Sequence, residues 1–153
     1  MNILLVDDSD YKLQEIKTLL DDIPISKEVR VARSFQGCLR VLEEFVPDVV
    51  LMDMTLPTSE DPDGGLDGRD RLFGGRDLIA EIDFSGISTK VIIVSQFDQF
   101  DEASIAINLQ TLTRRLQAEY PKLLIGSIYY SNVDSAWQKQ LRTWIIQHET
   151  DRI

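Results

Sequence analysis

The sequence predicts an α/β fold, a doubly wound five-stranded parallel sheet with helices on both faces. Two features carry that expectation. Short apolar runs alternate along the whole chain with segments whose apolar residues recur at helical spacing. The runs are also continuous, as in Ile3-Leu4-Leu5-Val6, Val49-Val50-Leu51-Met52 and Val91-Ile92-Ile93-Val94. Strands covered on both faces read this way, whereas half-exposed strands alternate with polar residues.

The elements follow in order. Residues 2–6 form the first strand. Ser9 or Asp10 caps a first helix with Leu13, Ile16, Leu19 and Leu20 on one face, and Pro24 lies past its end. Residues 28–32 read as the second strand. Ser34 caps a second helix running to residue 45, with Leu39, Leu42 and Phe45 inward. After Pro47, residues 48–52 form the third strand. A long irregular stretch leads to a third helix from about 75 to 84, carrying Leu78, Ile79 and Ile82. Residues 90–94 form the fourth strand, ending at Ser95. A long fourth helix is predicted from roughly 100 to 120, on the spacing of Ile105, Leu109, Leu112 and Leu116, and Pro121 stops it. The fifth strand spans 123–130. A last helix runs from about 133 to 148, with Ala136, Trp137, Leu141, Trp144 and Ile145 as its apolar stripe.

A strand order of 2-1-3-4-5 sets strands one and three side by side, and ligands in such sheets bind beyond the carboxyl ends of the strands. Asp7 and Asp8 end the first strand, Asp53 the third and Ser95 the fourth. Three carboxylates meeting there repel one another, and Mg²⁺, a hard cation with oxygen ligands, is the usual remedy. Asp10 and Asp48 read as ordinary capping or turn residues.

This ordered set, with Pro57 four residues after Asp53, resembles the receiver domain of two-component response regulators, whose fold is flavodoxin-like. The resemblance covers nearly the whole chain, and the expectation is one stand-alone domain over 1–153 with a loop inserted at about 57–74. It implies that Asp53 accepts a phosphoryl group from a phosphohistidine. It implies that Asp7, Asp8, Asp53 and the backbone carbonyl of Thr55 hold Mg²⁺, Asp7 through water, and that the Ser95 hydroxyl bonds a phosphoryl oxygen. The implied partners are a histidine kinase or phosphotransfer protein, a downstream protein, and a second copy through the fourth helix, fifth strand and fifth helix. Such a module is not itself an enzyme.

The chain departs from the family pattern. The family carries a lysine at the end of strand five, usually before a proline; here Ser131 and Asn132 stand there. Lys122 is at the wrong end of that strand, and Lys139 is well into the last helix. Gln96 follows Ser95 where the family favours a small residue. Tyr129 or Ile128 falls at the family's aromatic switch position. The long loop holds Gly65-Leu66-Asp67-Gly68-Arg69-Asp70 and then Phe73-Gly74-Gly75-Arg76-Asp77, two imperfect copies of one unit. Gly68, Asp70, Leu72, Gly74 and Gly75 also match one calcium-binding nonapeptide repeat, which alone cannot build a stacked roll. Arg69, Arg71 or Arg76 could fold over the site and replace the lysine's charge, since a guanidinium binds two oxygens at once. Two alternatives stand beside the phosphorylated receiver. One is a pseudo-receiver that signals without phosphate. The other is a haloacid-dehalogenase-like phosphatase, faintly suggested by Asp53-Met54-Thr55-Leu56.

The bulk numbers agree with a signalling role. A formal net charge of −10 repels nucleic-acid phosphate. Cys38, the single cysteine, can form no internal disulfide and sits in an apolar helical pattern. No apolar run approaches membrane-spanning length, and with no basic, apolar leader at the start the expected location is the cytoplasm. The only histidine, His148, lies near a helix end and is not expected to carry phosphate or metal.

Overall fold

The structure is a computed structural model that describes residues 1–59, 70–71, 74–102 and 105–152, with the side chains of 70, 71 and 102 excepted. Five strands form the parallel sheet: β1 (Asn2–Val6), β2 (Glu28–Ala32), β3 (Val49–Met52), β6 (Lys90–Ser95) and β9 (Leu124–Tyr129), ordered β2-β1-β3-β6-β9. This is the predicted 2-1-3-4-5 order. Pairing of Val6 with Met52 brings the next residues of the two strands, Asp7 and Asp53, side by side.

Alternate strand residues feed two cores, as the two-residue repeat of a strand requires. Ile3, Leu5, Val49 and Leu51 pack under α1 (Asp10–Asp21) and α5 (Ala136–Asp151). Leu4, Val6, Val50 and Met52 face α2 (Phe35–Leu42), α3 (Gly74–Ser85) and α4 (Leu109–Glu119). Three helices start where a side chain satisfies a free backbone amide. Ser9 accepts from the Lys12 amide at 3.4 Å, Ser34 from Gly37 at 2.9 Å and Asn108 from Thr111 at 2.8 Å.

One prediction is corrected. Residues 100–102 and 105–108 are not helical. They belong to an antiparallel hairpin of β7 (Gln99–Glu102) and β8 (Ile105–Asn108), in which Phe100 pairs with Ile107, and only then does α4 begin. Phe100 and Ile107, which pair directly across the two strands, are buried together, while Ile105 at the other end of β8 is 70% exposed. Ile105 matched the helical spacing of Leu109, Leu112 and Leu116 by coincidence. Smaller differences concern boundaries: α2 stops at Leu42, and α5 starts at Ala136, after turns in which the Ser131 hydroxyl and the Asp134 carboxylate accept from Val133 and Ala136.

The stretch after Asp53 begins as β4 (Leu56–Pro57), paired antiparallel with β5 (Asp70–Arg71). Of the repeated Gly/Asp/Arg units, residues 65–69 and 73 lie outside the described residues, as do Gly68 and Leu72 of the nonapeptide match.

Candidate functional site

The carboxyl end of the sheet gathers Asp7, Asp8 and Asp53: one oxygen from each lies within 4.8 Å of the others. Backbone bonds set the geometry. The Asp53 amide donates to Val6 at 2.9 Å, and the Asp7 amide to Ala32 at 3.0 Å. Asp7 and Asp53 are each 3% exposed, while Asp8 faces solvent. Asp53 Oδ1 is buried with no hydrogen-bond donor. Burial pushes the Asp53 carboxyl up to about 6; the Lys12 ammonium lowers it, and Asp7 raises it again.

Lys12 is the residue that sequence reasoning missed. It lies in the first turn of α1 and is 1% exposed. Its Nζ is 2.6 Å from Asp7 Oδ2 and 3.5 Å from Asp53 Oδ1, and it donates to the Val94 carbonyl at 2.5 Å. The 3.5 Å contact is an ion pair, too long for a strong hydrogen bond. Nζ also sits 5.8 Å from the centre of the Tyr130 ring, within cation–π range. The Tyr130 hydroxyl donates to Glu15, and its ring lies 5.0 Å from that of Trp137. The signal was present in the sequence: Lys12, Ile16 and Leu19 are spaced along one helix face, so the lysine lies on the inward stripe.

The other expected residues sit as follows. Ser95 is fully buried at the end of β6, and its hydroxyl bonds its own turn, donating to the Phe97 carbonyl at 2.7 Å and accepting from the Phe97 amide at 3.0 Å. Thr55 is half-buried, two residues beyond Asp53. Ser131 lies past the end of β9, its hydroxyl capping the Val133 amide. Lys122 and Lys139 are exposed, and the Lys122 carbonyl accepts from Lys90. Arg69 and the Arg71 side chain lie outside the described residues. Arg76 is half-buried in the first turn of α3, near enough to Tyr120 to act on its phenol.

Gly75 closes the site from the α3 side. Its amide donates to the Met54 carbonyl at 2.8 Å, and a Cβ there would meet the Asp53 carbonyl oxygen at 2.6 Å and Met54 Cα at 2.8 Å. Only glycine permits so close an approach of α3 to the loop that carries Asp53.

Comparison with known proteins points the same way. The family model of the response regulator receiver domain matches residues 3–114. The chain is 30% identical over 144 residues to the Detocs response regulatory protein DtcB of Enterobacter cloacae (strain JD6301), covering 92% of this chain and 95% of the relative. An uncharacterized protein, y4jR, of Sinorhizobium fredii (strain NBRC 101917 / NGR234) is also 30% identical over 144 residues, covering 93% and 95%. Among solved structures, the signal receiver domain of an HD domain-containing protein from Pseudomonas fluorescens Pf-5 superposes with a TM-score of 0.63 at 20% identity, covering 98% of this chain and 94% of that one. The Mn²⁺-bound form of response regulator Rcp1 gives 0.60 at 19% identity, covering 93% and 89%. The fold, the strand-end acids and the match over residues 3–114 lead to one conclusion: this chain belongs to the response regulator receiver domain family.

Proposed function

We propose that this chain is a receiver module in phosphorelay signalling, spanning 1–153 with an insertion at about 57–74, which accepts a phosphoryl group on Asp53. The observation that carries the reading is the meeting of Asp7, Asp8 and Asp53 at the sheet's carboxyl end, with Asp53 Oδ1 buried and without a hydrogen bond. A lone pair held in place and free of donors suits a nucleophile.

The residues fit Mg²⁺. All the side-chain donors are hard carboxylate oxygens, one from each of the three acids, lying within 4.8 Å of one another. Three carboxylates and the Lys12 ammonium leave two negative charges, which one divalent ion cancels. Asp7, Asp8, Asp53 and the Thr55 carbonyl would hold it. The chemistry it supplies is offset of the charge on the phosphoryl oxygens. Asp7 keeps lone pairs for that role, although Ser9 and Lys12 already engage its two oxygens.

Asp53 would take its phosphoryl group from a histidine kinase or phosphotransfer protein and pass the signal to a downstream protein. The face of α4, β9 and α5 is the proposed contact for that partner or for a second copy, with Tyr129 half exposed on it. No helix among the described residues is long and apolar enough to cross a membrane, which is compatible with work in the cytoplasm.

The test is labelling with radioactive acetyl phosphate in the presence of Mg²⁺. One acid-stable, base-labile phosphoryl group per chain is expected, absent from Asp53→Asn. A chain that takes up none would instead be a pseudo-receiver, a reading favoured by the commitment of the Ser95 hydroxyl to Phe97. The phosphatase alternative has no supporting observation once the family is known.

A further inference from the structure

We propose that Lys12, delivered by α1, supplies the cationic group that the pocket lacks at the end of β9, its ammonium holding the phosphoryl group carried by Asp53. The proposal rests on Asp53 being the acceptor, and it assigns a role to a residue outside the strand ends.

The donor inventory makes the case. An ammonium has three N–H donors and no acceptor. One is spent on the Val94 carbonyl at 2.5 Å and one on Asp7 Oδ2 at 2.6 Å. Among the described residues the third has only Asp53 Oδ1 to meet, 3.5 Å away and too far for a strong hydrogen bond. A donor and a nucleophilic oxygen therefore face each other across a gap slightly too wide to close. A phosphoryl group joined to Asp53 brings further anionic oxygens to that neighbourhood, and the spare N–H can meet one of them.

Burial raises the worth of that contact. At 1% exposure the ammonium has almost no water to compete with, so its attraction to added negative charge is stronger than at a surface. A lysine buried only to fill space would be costly, because apolar residues of similar volume often serve a core as well or better. Here two fixed acceptors and the Tyr130 ring aim the ammonium, and Tyr130 is itself tied to Glu15. Val94 and Tyr130 come from the β6 and β9 side of the sheet, so a lysine on α1 reaches the place that a β9 lysine would serve.

In the transfer, an Asp53 carboxylate oxygen forms a bond to phosphorus. The donor's P–N bond (phosphoramidate) or P–O bond (acyl phosphate) breaks, its electron pair leaves with the donor, and the donor takes any proton it needs from solvent. Lys12 stays protonated throughout and moves no proton. Its part is to lower the energy of the crowded oxygens on the way to the acyl phosphate and in it.

The experiment uses the full chain with radioactive acetyl phosphate, comparing wild type, Asp53→Asn, Lys12→Met and Lys12→Arg, with Mg²⁺ binding followed by tryptophan fluorescence. Met keeps much of the stem's volume and drops the charge. Lys12→Met is expected to fold by circular dichroism, to bind Mg²⁺ at least as tightly as wild type, and yet to label about 100-fold more slowly at saturating Mg²⁺. Lys12→Arg should stay within about tenfold of wild type, since its charge remains. A Lys12→Met that labels at the wild-type rate overturns the proposal and leaves the acceptor reading standing. A folded Lys12→Met that no longer binds Mg²⁺ also overturns it, by assigning Lys12 to building the pocket. A wild-type chain that never labels overturns both readings. Should Lys12→Met fail to fold, the Lys12 ammonium resonance of the wild type decides. It should shift when beryllofluoride and Mg²⁺ are added and stay still in Asp53→Asn; no shift in wild type overturns the proposal.

Discussion

Gly75→Ala should destabilise the protein, although the same substitution near a helix start ordinarily helps. Gly75 is the second residue of α3, where alanine would gain up to about 1 kcal/mol of helix propensity. The added Cβ, however, would stand 2.6 Å from the Asp53 carbonyl oxygen and 2.8 Å from Met54 Cα. Ordinary contacts to such atoms begin at about 3.4 Å or beyond. Both obstacles are backbone, so relief requires α3 and the loop after β3 to part by roughly 0.7–1 Å. That movement strains the 2.8 Å bond from the Gly75 amide to Met54, worth about 1 kcal/mol. Overpacking of this kind costs about 1–3 kcal/mol. Set against the propensity gain, the net loss is about 2 kcal/mol, or a fall in Tm of about 4–8 °C for a chain of this size. Thermal unfolding by circular dichroism measures it. Mg²⁺ affinity should fall in parallel, because the backbone that moves carries Asp53. A Tm equal to or above that of wild type would refute the reasoning, since propensity alone would then describe the site.

Other outcomes follow from the same geometry. In the metal-free protein the Asp53 carboxyl is pushed up to about 6 from its ordinary 3.8, chiefly by burial. The folded state thus keeps a proton that the unfolded chain has already released between those values, and stability falls as pH rises through that window, by about 3 kcal/mol. Urea unfolding at pH 4 to 7 should show this component in wild type and not in Asp53→Asn; parallel curves for the two proteins would sink the idea. Tyr130→Phe removes the hydroxyl that donates to half-buried Glu15 and should cost about 1–2 kcal/mol in urea unfolding, an unchanged midpoint counting against the bond. Cys38 is fully buried, and burial pushes its thiol up to about 12. A thiol reagent at pH 8 should therefore react only at the rate of unfolding, and prompt reaction in native buffer would contradict its position.

Strand ends are legible in this sequence because burial on both faces writes a continuous apolar signature. Ile3 to Val6, Val49 to Met52 and Val91 to Val94 each stop abruptly at a polar residue. Topology rules then order the strands, and Asp7, Asp8 and Asp53 converge without any tertiary information. The hairpin of Gln99–Glu102 with Ile105–Asn108 was hidden for a physical reason. Ile105 is exposed in the fold yet falls in phase with the buried Leu109, Leu112 and Leu116, so periodicity cannot separate the strand from the helix that follows.

The chain by itself determined the alternation of elements, the strand order and the acids at the sheet's edge, since each depends on local pattern and chain connectivity. Only the tertiary structure decided what surrounds those acids. The helical spacing puts Lys12 on the inward stripe of α1, but which groups its ammonium meets depends on how α1 lies against β1, β6 and β9. Long-range packing set the Lys12 ammonium between Asp7 and Asp53. Charge and hydrogen-bond geometry at a site belong to the assembled fold, because they arise between residues that meet only when the chain has closed upon itself.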